Sequence, residues 1–412
     1  MNFPHSIRAL SHRNFRLYFF GQGVSVLGSW VQQVALSWLI YDLTGSAALL
    51  GVTAFCAQVP QLVVGPFAGA WVDKQDKKKW LLRTQLMFAA VAFLMAGLTA
   101  SGHITPTLIV ALTLAHGLIN SFDTPLRQSL IGQFVGQREH LPNAVALNSM
   151  LFNIGRFIGP PIAGLLLAVM SEAVCFALNG LSFLGLFIGV WRTQIVGPAR
   201  ASGSVGQVFQ EGVAYVWRTW PIRTLIMTLM VVNLTASSYA VLLPVFARDV
   251  FAGDAQTLGW LWGAAGCGSA LSSVLLANSG IAGLVRLVML GVCVSAAALL
   301  LFVSNTYLPL ALLAMALLGF GISVNNVSIN MLLQSSSPEH LRGRIVSFFA
   351  SSRFGFDALG GLIAGLLASY LSARTTLLIE GAVLAVFAGL LLSWRARLGT
   401  SLDTIHAQEN PR

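Results

Sequence analysis

Charge is scarce in this sequence. Only 9% of its 412 residues are Asp, Glu, Lys or Arg, against about a quarter in water-soluble domains. That scarcity excludes two or three globular domains, which length alone would suggest. Cysteine is equally sparse. Cys56, Cys175, Cys267 and Cys293 stand singly in apolar stretches, without paired spacing or nearby histidines, so neither a disulfide framework nor a zinc site is expected. No metal cluster, nucleophile with a base, or phosphate-binding loop stands out, and the seven histidines are scattered. The sequence therefore reads as a non-enzyme without a cofactor. Apolar residues are abundant instead: 56% are hydrophobic and the mean hydropathy is +0.76.

A bilayer core of about 30 Å needs about 20 apolar residues per helix. Twelve windows of that kind occur, at 16–41, 48–72, 80–101, 105–129, 143–170, 173–192, 222–246, 257–278, 284–304, 307–331, 344–370 and 375–394. The expected fold is an all-α membrane protein of twelve transmembrane helices. Three arginines precede the apolar run from Leu17, but the run is too long for a signal peptide and no small-residue cleavage site follows it, which makes it an uncleaved first span.

The chain carries 24 Lys and Arg against 14 acids, a net charge of +10. In a soluble protein that excess would raise nucleic-acid binding. Here the bases alternate with the loops. With the N-terminus inside, 20 of the 24 fall on the cytoplasmic side, Arg248 and Arg374 fall outside, and Arg156 and Arg353 lie within spans. This asymmetry predicts an inner-membrane protein with both termini cytoplasmic and argues against a nucleic-acid partner.

The sequence repeats itself. Arg156-Phe-Ile-Gly159-Pro160-Pro161-Ile-Ala-Gly164-Leu-Leu matches Asp357-Ala-Leu-Gly360-Gly361-Leu-Ile-Ala-Gly365-Leu-Leu 201 residues later, and Glu139-His140-Leu141 matches Glu339-His340-Leu341 at an offset of 200. The expected organisation is a six-helix half over 1–192, a cytoplasmic linker over 193–221, a second half in the same orientation over 222–394, and a cytoplasmic tail over 395–412. Parallel halves of this kind place a substrate pathway between them and move by rocking. Val205, Val208, Phe209, Val213, Val216 and Trp217 recur at helical spacing in the linker, which predicts an amphipathic helix on the membrane surface.

Charges inside spans are expensive and mark function by default. Arg156 and Asp357 are repeat equivalents of opposite sign. They suit either the binding of an anionic or zwitterionic substrate or, for Asp357, the carrying of a proton; neutralisation of Asp357 by Arg353 one turn earlier is the plainer alternative. Asp123 and Arg127, also one turn apart and flanking Pro125, fit a structural salt bridge or a cytoplasmic gate. Gln22, Gln32, Gln33, Asn120 and Asn233 are amides within spans and need polar partners in a dry environment. Trp30, Trp38, Tyr239, Trp260 and Trp262 offer an aromatic wall for a planar ligand or a membrane-interface belt. Glu380, near the outer end of the last span, reads as hydrated.

Gly69-Ala-Trp-Val-Asp73-Lys74-Gln-Asp-Lys77-Lys78-Lys79 resembles the loop signature of the major facilitator superfamily. Gly155, Gly159, Pro160 and Gly164 look like the fifth-span Gly-Pro motif of its antiporters. The spacing around Phe122-Asp123-Thr-Pro125 and Glu139-His140-Leu141-Pro-Asn143-Ala144 resembles its bacterial enterobactin and macrolide exporter branch. The resemblance covers about residues 10–395. It implies a monomeric transporter that exports a drug-like compound or siderophore by alternating access, with protons as the exchanged ion. An importer of the same fold and a lipid flippase are the alternatives.

The resemblance also implies a gate at Gly69, Asp73, Lys74, Lys77 and Lys78, with Asp73 latching onto Arg342 or Arg344 at the start of the eleventh span. Attraction of the lysine run to anionic lipid is an equal reading. The signature is imperfect: its usual Arg is Lys74, its second Gly is Asp76, and its second-half counterpart, Asn278-Ser-Gly280-Ile-Ala-Gly283-Leu-Val-Arg286, has lost the acid. Thr113 stands where drug antiporters carry an Arg before Gly117, which puts their usual proton-coupling scheme in doubt.

Overall fold

The computed structural model describes residues 5–72, 74–194, 216–276, 281–395 and 397–401. The expected amphipathic linker helix lies largely outside these residues. Among the described residues, fourteen α-helices of seven residues or more occur: α1 (Arg13–Thr44), α2 (Ala47–Val63), α3 (Gly65–Val72), α4 (Lys77–Ala100), α5 (Pro106–Val135), α6 (Leu141–Val169), α7 (Glu172–Trp191), α8 (Trp220–Thr235), α9 (Tyr239–Val245), α10 (Ala255–Leu276), α11 (Ile281–Ser304), α12 (Leu308–Ser335), α13 (Glu339–Leu371) and α14 (Ala373–Ser393). Among the described residues no strand occurs, and nine helical segments are long and apolar enough to cross a membrane. All twelve expected windows are largely helical.

Boundaries follow local chemistry. Gly45 and Gly136 end α1 and α5 in the left-handed conformation (φ +58° and +69°), each returning its backbone N–H to a carbonyl four residues earlier, the usual glycine C-cap. Asp76 begins α4 by accepting the Lys79 backbone N–H at 3.1 Å, and this bond holds its carboxyl below its ordinary pKa.

Two expected spans are interrupted. The second breaks at Val64, four residues after Pro60. The seventh breaks over Ala236–Ser238, between α8 and α9, and continues as a π-turn at Phe246–Val250. The residues at the second break are Thr235-Ala-Ser-Ser238, whose hydroxyls compete for main-chain carbonyls: Thr235 Oγ1 donates to Val231 O at 2.7 Å and Ser238 Oγ lies 2.5 Å from Thr235 O. Such bonds offer the backbone an alternative to the helical ladder, and Pro244 removes a further donor downstream.

The chain forms two compact units. One comprises residues 1–45, 56–203 and 253–263, the other 46–55, 204–252 and 264–412. In the first, α1 packs on α6 and α7, and α4 on α5 and α7, around a cluster that includes Phe15, Tyr18, Leu81, Leu130, Phe134 and Leu186. In the second, α11 packs on α12 and α14, and α8 on α13.

The short exchanged segments, 46–55 and 253–263, have a common cause. A methyl group on Gly164 of α6 would lie 2.9 Å from Gln256 Cα and 3.0 Å from Ala255 O, and one on Gly259 of α10 would lie 2.6 Å from Pro160 O. In the other unit, a methyl on Gly365 of α13 would lie 2.8 Å from Gly51 Cα, and one on Gly51 of α2 would lie 2.9 Å from Gly361 O. Gly164 and Gly365 are equivalents in the sequence repeat. Each therefore admits the backbone of a helix from the opposite half of the sequence, which only a residue without Cβ allows.

The N-terminal turn of 3₁₀ helix, His5–Ser11, is tied to the start of α6. Ala9 N donates to Asn143 Oδ1 at 2.9 Å, and His12 Nε2 lies 2.8 Å from His140 Nδ1, so the two rings share one hydrogen. Burial, and then the neighbouring His140, lower the pKa of His12.

Two expectations follow. Gly164→Leu should cost about 1–3 kcal/mol through overpacking and lower the thermal midpoint of the purified protein, whereas Gly97→Ala, where nothing lies within 4 Å, should not; equal midpoints would refute the close contact. The His12–His140 tie, whose folded pKa is below the unfolded value of about 6.5, contributes fully above that value and is lost as pH falls through the lowered one. Protease access to residues 5–12 should rise in acid for wild type, and His12→Gln should abolish that pH dependence.

Candidate functional site

A polar cluster sits inside the first unit, where α1, α4 and α5 meet. Asp123 is 2% exposed. Its Oδ1 accepts hydrogen bonds from Thr84 Oγ1 at 2.7 Å and Gln85 Nε2 at 2.6 Å, and its Oδ2 pairs with Arg127 Nε. Arg127 also donates to Gln22 Oε1 and, at 3.2 Å, to Gln85 Oε1. One turn of helix aligns the acid and the base; Gln22 on α1 and Thr84 and Gln85 on α4 complete their shells. Buried charge is tolerated when both partners are hydrogen-bonded in this way, and removing one partner is costly.

The other amides in spans bond across helices as well. Gln32 Oε1 accepts from Asn179 Nδ2 at 2.7 Å, Asn120 Nδ2 donates to Gln61 Oε1 at 2.9 Å, and Asn233 Nδ2 donates to Asn326 Oδ1 at 3.0 Å. Gln33 is exposed. The aromatic residues divide: Trp30 meets Trp262 edge to face at 5.8 Å, Tyr239 is buried, and Trp260 is 43% exposed.

Arg156 differs from Arg127. Its Nε is buried without a hydrogen-bond partner, and no salt bridge to it occurs among the described residues. It lies on α6 between Gly155 and Gly159, which pack against Val26 and Trp30 of α1, and one turn before Pro160, which meets α10. Asp357 has Arg353 one turn earlier on α13, and the Arg353 guanidinium lies 5.3 Å over the ring of Phe354.

At the loop after α3, Asp73 lies outside the described residues, as does the side chain of Arg342. Gly69 has nothing within 4 Å of an added methyl. Lys74 is exposed and Lys77 buried. Lys78 Nζ donates to Trp191 O at 3.1 Å and Thr193 O at 2.5 Å, capping the C-terminus of α7 where a cation is favoured. Lys79 pairs with Asp76 at 3.2 Å. Each lysine of the run thus has its own surroundings, which an undifferentiated basic patch would not show.

Glu380 corrects the sequence reading. It is 6% exposed, not hydrated, and its carboxyl touches Ser238 Oγ at the break between α8 and α9. Thr84, Gln85 and Ser238 had no sequence signal beyond being polar residues in apolar segments.

The family model described as "Transmembrane secretion effector" matches residues 5–411. The chain belongs to this family of the major facilitator superfamily. It is therefore a multi-pass membrane transporter, and the reading as a non-enzyme stands with it. The staphyloferrin A transporter of Staphylococcus aureus is 27% identical over 88% of this chain and 92% of its own length. The multidrug efflux pump Tap of Mycolicibacterium fortuitum is 27% identical over 85% and 88%, and macrolide efflux protein A of Streptococcus pyogenes is 22% identical over 59% and 62%. Among solved structures, the nucleoside transporter NupG superposes with a TM-score of 0.74 at 15% identity, covering 92% of this chain and 98% of that one. A bacterial homologue of the human lysosomal transporter Spinster gives 0.73 at 11% identity over the whole of both chains. These two likenesses show the major facilitator fold.

In this transporter, Asp123→Asn leaves the Arg127 charge without its counterion. The thermal midpoint should fall by the equivalent of about 3–5 kcal/mol, and combining it with Arg127→Met should recover part of the loss. A midpoint unchanged by Asp123→Asn alone would show that the pair does not hold the unit together.

Proposed function

We propose that this transporter exports a small organic molecule, a drug-like compound or a siderophore, across the bacterial inner membrane by alternating access in exchange for protons. The observation that carries export is the family match together with two relatives that bear efflux in their names. The orientation follows from the bases: with 20 of 24 on one side, both termini face the cytoplasm. The protein works as a monomer, each chain carrying both halves of its pathway.

The polar groups of the spans divide by their surroundings. Arg156, a guanidinium whose buried Nε has no partner, contacts the substrate. Gln33, exposed on α1, and the amides Gln32, Asn120 and Asn233 extend the pathway. Asp357, with Arg353 one turn away, takes part in proton exchange. Gly69, Asp73, Lys74, Lys77 and Lys78, with Asp123, Arg127, Arg342 and Arg344, form the cytoplasmic gate. Gly155, Gly159, Pro160 and Gly164 keep α6 close to α1 and α10, a packing that limits ion leak as the helices move.

Deleting the gene should raise intracellular and lower secreted levels of at least one metabolite, or increase sensitivity to drugs; equal profiles with unchanged sensitivity would remove the export reading. With that compound as the transported probe, Asp357→Asn should flatten the pH dependence of export. Transport and pH dependence both equal to wild type would remove Asp357 from proton exchange while leaving export in place.

A further inference from the structure

Trp220 opens α8 and Trp394 follows the last residue of α14, so each stands where an apolar segment long enough to cross a membrane ends. Both helices belong to the second unit and pack together, and the two indole rings meet edge to face at 6.5 Å. The Arg397 guanidinium lies 4.5 Å over the Trp220 ring. A ring beneath a guanidinium draws on its charge but takes none of its five N–H donors. No protein acceptor takes them either among the described residues.

More cations gather at this corner. Arg223 stands one turn after Trp220 on the same face of α8, and its Nη1 donates to the Trp217 carbonyl at 3.4 Å. Arg218 and Arg395 lie next to this group in sequence and are exposed, as is Arg397. None of the four arginines is ion-paired among the described residues. The chain has no Asp or Glu between residues 212 and 248 or between 381 and 402. The neighbouring stretches 195–215 and 402–412 bring Glu211, Asp403 and Glu409 against Arg200 and Arg412, a surplus of one acid against four cations. At the start of α4 the bases are matched differently: Lys78 donates to two carbonyls at the end of α7 and Lys79 pairs with Asp76. The corner formed by α8 and α14 therefore carries a positive charge that the protein does not balance.

We propose that this corner is a binding site for the headgroup of an anionic phospholipid, with the guanidinium groups of Arg223 and Arg397 on its phosphate and Trp220 and Trp394 at headgroup depth. Arginine matches phosphate oxygens with paired N–H donors, tryptophan favours the boundary between hydrocarbon and water, and clustered bases beside a span attract anionic lipid. Lipid is the occupant because two span ends put the arginines at the depth where headgroups already lie. One lipid would touch the start of α8 and the residues just past α14, and so strengthen the joint between them. The site depends neither on the compound exported nor on the direction of transport.

The test uses the full-length protein in a non-ionic detergent, titrated with phosphatidylglycerol or phosphatidylcholine. Bound lipid is read by native mass spectrometry and stabilisation by the thermal midpoint. Wild type should retain phosphatidylglycerol in preference and gain in midpoint as the site fills. Arg397→Gln and Arg223→Gln should each lower its affinity about fivefold, and together about twenty-fivefold. Lys79→Gln removes the same charge from a base that already has a carboxylate partner, and should change the affinity by less than about twofold. Arg223→Gln carries the test alone should Arg397→Gln fold poorly. Equal affinity of wild type for the two lipids would overturn the proposal. So would an equal loss in Lys79→Gln and Arg397→Gln, which would make the attraction one of net charge, or displacement of the lipid by an equal concentration of inorganic phosphate, which would give the site to a soluble anion.

Discussion

Apolar helices gain little from meeting one another in lipid, because hydrocarbon solvates leucine as well as another leucine does. What holds this fold is therefore close backbone approach and polar bonding, and both occur at a few positions. The glycine contacts Gly164 with Gly259 and Gly51 with Gly365 fix where helices of the two sequence halves cross. Gly117 against the Ala57 carbonyl, and Gly291 against the Gly321 carbonyl, do the same within a half. At each of these a side chain would meet main chain, which cannot yield as a rotamer can. Contacts of this kind fix distance but tolerate some sliding.

Polar bonding supplies what glycine does not, an orientation about the helix axis. Asp123, Arg127, Gln22, Thr84 and Gln85 form a closed set in which α1, α4 and α5 each hold a definite rotation. Rotating any one by a fraction of a turn would leave a charge or an amide unsatisfied at high cost. In the second unit, bonds such as Asn233 to Asn326 and Ser272 to Ser323 join helices in the same way. That unit contains the helix interrupted at Ala236–Ser238.

Much of this was legible in the residues. Hydropathy placed all twelve helical windows, and the Asp123–Arg127 pair followed from spacing of four. The 201-residue repeat pointed to Gly164 and Gly365, and through them to the crossings that exchange short segments between the two units. Three things were not legible, for one reason: a sequence gives depth along a helix but not the direction a side chain faces once the helix is packed. Glu380, placed near an end, reads as hydrated when its direction is unknown. Thr84 and Gln85, just after a basic helix start, look like the polar edge of a span. The break in the seventh span was hidden because Thr235-Ala-Ser-Ser238 is no less apolar than many continuous membrane helices; it is the use of the hydroxyls, not their number, that interrupts the ladder.

The two buried carboxyls show how environment assigns roles to the same chemical group. Asp123 has an adjacent guanidinium and two neutral donors, so both of its oxygens are hydrogen-bonded where they lie. Glu380 meets the hydroxyl of Ser238, which also lies against the carbonyl of Thr235 at the end of α8. A group locked into an ion pair is suited to hold helices still. On this reasoning the charged cluster of the first unit sets how α1, α4 and α5 stand against one another.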